Sequence, residues 1–154
     1  MTMPDPEIIE LEKQDAIAVR GELQVAELPE FFGKAFHAAL AAAEQAGVEI
    51  TGPPFGYYPV MPTDVVTLEA GFPVAGPVNA SGEVHPLVLP AGRAVVAMHV
   101  GTYDTLVKTY EALQTWMEEQ GLQPAGAMWE MYLSDPSVEL DPTTWRTRIV
   151  WPIL

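Results

Sequence analysis

The stretch AMWEMYL, residues 127–133, has the apolar and aromatic character of a buried strand, yet it carries one acid, Glu130, among a tryptophan, two methionines and a tyrosine. Side chains alternate along a strand, so Met128, Glu130 and Tyr132 share one face and Trp129, Met131 and Leu133 the other. A carboxylate on an apolar strand costs several kcal/mol unless it is paired, hydrogen-bonded or neutralised. Such an acid faces solvent at a sheet edge, bonds a neighbouring tyrosine, or stands in a cleft. The cleft is the reading with functional content.

Working outward, the chain repeats an order of elements. IIELEKQDAIAVRGEL (8–23) reads as a strand leading into a short linker. A helix follows, with Phe32, Phe36, Leu40 and Ala43 forming a stripe expected to face a sheet, Pro29 in its first turn and Gly47 as its stop. The aromatic, turn-rich TGPPFGYYPVMPTD and a strand in DVVTLEAGFPV complete the first series, and NASGE (79–83) is a loop dividing the two halves. VHPLVLPAGRAVVAMHVG (84–101) then gives a strand, and Asp104 to Gln120 a helix with Leu106, Tyr110, Leu113 and Met117 on one stripe. Thr102 or Asp104 is its cap and Gly121 its stop. AMWEMYL follows as a strand, SDPSVELDPTTW as a loop and RTRIVWPI as the last strand.

Laying Gly47 on Gly121 places GPPFGYYP (52–59) over GAMWEMYL (126–133). Glu130 then matches Gly56, and Tyr132 matches Tyr58. The expected architecture is a single α+β domain of two β-α-β-β repeats, about residues 8–76 and 84–154. They are related by a pseudo-twofold axis, with sheets flanking a central groove.

Composition excludes several classes. The 154 residues suffice for one core, and the absence of cysteine rules out disulfides, thiolate metal sites and a cysteine nucleophile. Seven Lys and Arg against 21 Asp and Glu leave a net charge of −14, which opposes direct nucleic-acid binding and favours cationic ligands. No segment approaches a membrane span and no basic leader opens the chain, so a cytoplasmic protein is expected. His37, His85 and His99 have no metal-ligand spacing, and His99 sits among the core-like Val95 and Ala97. Ser81 and Ser134 lack the context of an activated nucleophile, and no glycine-rich phosphate loop is present. Neither metal nor cofactor is expected. Aromatic faces bind flat or cationic ligands well, and Tyr58 and Tyr132 are the pocket candidates by alternation and overlay, ahead of Tyr57 and Phe55.

HVGTYDTL (99–106) running into a helix, Trp116 near its end, the Glu-x-Tyr of WEMY followed by Asp-Pro, and a terminal strand ending at Pro152 together resemble the GyrI-like domain. That domain is also the effector-binding domain of certain AraC-type and MerR-type bacterial transcription regulators. The resemblance is firm from about residue 87 onward and looser before it. It implies a central groove for bulky aromatic or cationic xenobiotics in which Glu130, matching the Glu of Glu-x-Tyr, meets the ligand. The implied lining is Tyr132, Tyr58, Tyr57, Phe55, Met128 and Trp151. It also implies two alternatives: hydrolysis of reactive cyclopropane-type genotoxins, with Glu130 and Tyr132 catalytic, and a protein-binding role such as gyrase antagonism. With no DNA-binding segment evident, the chain reads as a stand-alone version.

Overall fold

The computed structural model describes residues 6–60, 65–102, 105–134, 138 and 140–154. Its elements, in chain order, are β1 (Glu7–Leu11), β2 (Gln14–Gln24), α1 (Leu28–Ala46), β3 (Phe55–Tyr58), β4 (Val65–Pro73), β5 (Val84–Leu89), β6 (Gly92–Val100), α2 (Leu106–Glu119), β7 (Met128–Tyr132) and β8 (Arg146–Pro152). The mixed α+β class is as expected, and the order strand, strand, helix, strand, strand occurs twice. Each half has one strand more than the sequence pattern suggested. Short breaks at Glu12–Lys13 and Pro90–Ala91 divide what reads as one strand into two.

All strands join one antiparallel sheet in the order β1-β6-β8-β7-β3-β4-β2-β5. The order reads the same from either end when each strand is exchanged for its equivalent in the other half. The halves meet through β3 and β7, where Gly56 lies opposite Glu130, Tyr57 opposite Trp129 and Tyr58 opposite Met128. The two positions matched by the sequence overlay are therefore direct neighbours at the centre of the sheet. The first strand of each half crosses to the other, so that β1 borders β6 and β5 borders β2.

Both helices lie on one face. Under α1, small side chains allow a close approach: Ala35, Ala39, Ala42 and Ala43 cluster with Ile17 and Val19 of β2 and Ala70 of β4. Gly47 ends the helix at φ 67°, a left-handed conformation that glycine adopts without steric penalty, and its N–H bonds back to the carbonyls of Ala43 and Glu44. Under α2 the filling is bulkier, with Leu113 and Met117 packed on Val95, Ile149 and Trp151. The other face of the sheet buries Ala16, Ala18, Phe55, Trp129 and Val150 together with Leu11 of β1 and Leu89 of β5. Side chains from both ends of the sheet meet in that cluster, so the sheet curls upon itself on the side away from the helices.

Candidate functional site

The central strands, the start of each helix and the loops after β3's approach and β7 enclose a cavity of about 1010 Å³. Its walls come from Leu28, Phe32 and Phe36 of α1, Phe72 of β4, Leu106 of α2, and the pair Pro53–Pro54. Tyr58, Glu130 and Tyr132 rise into it from the sheet, and Glu130 is the one acidic or basic side chain among the lining residues.

Glu130 is 5% exposed. The Tyr110 hydroxyl donates to its Oε2 at 2.5 Å and the Tyr132 hydroxyl to its Oε1 at 2.8 Å. The Tyr58 hydroxyl stands 3.4 Å from that of Tyr132. Hydrogen bonds to a charged acceptor are worth about 1.5–3 kcal/mol each, whereas desolvating a carboxylate costs several kcal/mol. Burial prevails here: it lifts the Glu130 carboxyl above the usual carboxylate range, against the opposing pull of the Tyr110 and Tyr132 hydroxyls, His99 and Tyr58. The same burial, with the negative field of Glu130, pushes the hydroxyls of Tyr58, Tyr110 and Tyr132 up, so all three remain protonated donors.

Aromatic rings extend the site away from the acid. The Phe32 ring stands edge-on to Tyr132 at 5.5 Å and stacks with Phe36 at 5.5 Å, and Phe36 reaches Phe72 at 5.6 Å. Gly56 provides the room for this arrangement, since a Cβ there would lie 2.7 Å from the Tyr132 hydroxyl and 3.3 Å from the Phe32 ring.

Of the residues singled out from the sequence, Glu130, Tyr132 and Tyr58 come together in the cavity. Phe55 and Tyr57 do not line it. Alternation along β3 turns both to the opposite face, where Phe55 is fully buried and Tyr57 packs on Trp129 at 6.1 Å. Met128 is on the expected face but lies beneath α2 as core. Trp151 sits one layer behind the site, its ring edge-on to Tyr110 at 5.9 Å. Leu133, expected on the far face, lines the cavity because the strand ends at Tyr132. Sequence reasoning placed Tyr110, Phe32 and Phe36 on helix stripes as packing residues and so missed their roles. The overlay on Gly47 and Gly121 sets Phe36 over Tyr110, and could have pointed to both. Asp104 and the Asp-Pro pair at 135–136 lie outside the described residues.

Among the described residues no cluster of three His, Asp or Glu side chains is placed to hold a metal ion, and no helix is long and apolar enough to cross a membrane. A model of the GyrI-like small molecule binding domain matches residues 4–154. The chain belongs to the GyrI-like family. No curated protein matches this GyrI-like chain. Among solved structures, the C-terminal domain of EcmrR is 20% identical, with a TM-score of 0.85 over 100% of this chain and 99% of that one. In the EcmrR–DNA complex the match is 19% identical with a TM-score of 0.82, covering 97% of this chain and 57% of that one, so the GyrI-like chain spans little more than half of that regulator. A hydrolase from Listeria innocua is 19% identical (TM-score 0.67, 97% and 91% covered). SAV2435 bound to tetraphenylphosphonium is 11% identical (TM-score 0.65, 98% and 94% covered). At these identities the likeness to solved structures is one of fold. The family match makes the domain a small-molecule binder.

Proposed function

We propose that the cavity takes up bulky aromatic molecules, preferentially lipophilic cations, with Glu130 as their principal polar contact. The observation that carries this reading is a single buried carboxyl at one end of a cavity otherwise walled by aromatic and aliphatic side chains. A neutral ligand gains from apolar burial alone. A cation of similar shape also stabilises the ionised form of Glu130 in dry surroundings and meets the ring faces of Phe32 and Phe36. The tetraphenylphosphonium complex of SAV2435 supports this class of ligand by likeness of fold.

Isothermal titration with tetraphenylphosphonium, and with triphenylphosphine oxide as a neutral counterpart, tests the reading. Glu130→Gln is expected to weaken cation binding at least tenfold, about 1.4 kcal/mol, and to leave the neutral compound within twofold. Equal affinity of the cation for both proteins would remove Glu130 from the recognition.

One observation favours a second reading, hydrolysis of a strained ring. Glu130 carries a raised carboxyl pKa beside three tyrosine hydroxyls, an arrangement suited to general acid catalysis. Opening a cyclopropane conjugated to a carbonyl would place the hydroxyl of water on the attacked carbon. The electrons of the broken carbon–carbon bond would pass to the carbonyl oxygen, which takes the Glu130 proton, while the proton released by water returns to Glu130. Mass spectrometry after incubation with such a compound should find a product heavier by one water, lost in Glu130→Gln. Intact substrate after prolonged incubation with wild-type protein would leave binding alone.

A further inference from the structure

The two halves of the sheet provide an internal comparison. Their ladders set Gly21 opposite Leu68 in the first half and, at the equivalent place, His99 opposite Thr147 in the second. In the first half this position is apolar: the Phe31 ring occupies the space over Gly21, where a Cβ would lie 2.4 Å from Phe31 Cε1. In the second half it holds a buried imidazole. His99 Nε2 donates to the Thr102 carbonyl at 2.8 Å, with the Thr105 hydroxyl at 3.1 Å, and Nδ1 lies 2.6 Å from the Thr109 hydroxyl.

The fold therefore builds the same framework with or without polar groups at this place, and burying them carries a desolvation cost. The halves also differ in the residue at the centre of the sheet, which is Gly56 in one and Glu130 in the other. Thr109 and Tyr110 are consecutive on α2 and tie it to strands on either side of β8, Thr109 to His99 of β6 and Tyr110 to Glu130 of β7. The first turn of α2 has no side-chain bond from its N-cap, Thr105; Leu106 packs it on the core, and His99 adds polar ties to Thr102 and Thr105 before the turn and to Thr109 within it. We propose that His99 is a positioning residue for Glu130: through Thr109 it fixes the turn of α2 that brings the Tyr110 hydroxyl onto the carboxylate.

The assignment rests on the reading of Glu130 as the polar contact of the cavity, so its test observes the carboxyl directly and without ligand. Carbon-13 NMR of protein labelled at the glutamate carboxyls, with the Glu130 signal assigned by Glu130→Gln, gives the midpoint of its titration. Tyr110→Phe removes one bond to the ionised form and is expected to raise that midpoint by roughly one to two pH units. His99→Leu and Thr109→Val are both expected to raise it, and in the Tyr110→Phe background Thr109→Val is expected to add nothing and His99→Leu only the part that comes from losing the imidazole's direct pull on the carboxyl. Thr109→Val preserves shape and leaves the imidazole in place, and so decides the matter even if His99→Leu does not fold. A wild-type midpoint in Thr109→Val overturns the proposal, as does a His99→Leu shift that adds fully to that of Tyr110→Phe. Absence of tetraphenylphosphonium binding together with the expected shifts would refute the ligand reading and leave His99's role standing.

Discussion

At the scale of single residues, the site is governed by the conflict between Glu130 and its surroundings. Burial raises its carboxyl pKa in the folded chain relative to the unfolded one, so the folded state holds the proton more tightly between the two values. The associated stability is present below the ordinary carboxylate range and is lost as pH rises through the folded value. Glu130→Gln, which stays uncharged at every pH, is accordingly expected to lose less stability than wild type as pH rises above the ordinary carboxylate range. Melting curves from the ordinary carboxylate range upward check this, and an identical pH dependence in the two proteins would contradict it. Gly56→Ala acts on the same point from the opposite strand. Its methyl group meets the Tyr132 hydroxyl and the Phe32 ring, so a loss of about 1–3 kcal/mol in stability is expected, together with weaker ligand binding. Denaturant titration and calorimetry measure the two effects. Glu130 was legible in the sequence because an acid on an apolar strand demands a reason. Tyr110 was not, because a tyrosine on a helical stripe looks the same whether its hydroxyl meets a carboxylate or its ring fills the core.

At the scale of elements, α1 divides its apolar residues between two tasks. The sequence stripe of Phe32, Phe36, Leu40 and Ala43 was expected to face the sheet. The structure keeps Ala43 on the sheet in company with Ala35, Ala39 and Ala42, directs Phe32 and Phe36 to the cavity, and leaves Leu40 at 42% exposure. Periodicity could not distinguish these faces, because outside the polar stripe of Glu30, Lys34, His37 and Glu44 the helix is mostly apolar. Volume decides: only alanines let the helix approach the strands closely enough. Ala39→Leu is therefore expected to cost about 1–3 kcal/mol by overpacking. Phe36→Ala, whose ring borders open space, is expected to weaken aromatic ligands tenfold with less effect on melting temperature. Comparing the two variants by calorimetry and ligand titration separates structural from binding faces. The termination of each helix, by contrast, was plain from Gly47 and Gly121, both of which adopt positive φ.

At the scale of the whole molecule, the doubled order of elements was visible in outline while the exchange of first strands was not. Nothing in the hydrophobic pattern of β1 or β5 names its partner, and pairing between strands far apart in sequence leaves no local signal. Because β5 borders β2 and β1 borders β6, neither half retains its own outer strand. Residues 6–78 and 79–154 produced separately are expected to remain largely unfolded, and to recover native-like strand content when mixed. Circular dichroism of each fragment and of the mixture distinguishes this from independently folding halves. The same exchange bears on how the chain is made. Ile9 of β1 is paired with Ala94 of β6, so a strand that leaves the ribosome before its partner must stay unpaired with it while some eighty further residues are added. At common synthesis rates that interval is roughly 4–17 s. Throughout it, the acidic side chains of Glu7 and Glu10 on β1 give this waiting segment a charge that discourages association with other nascent chains.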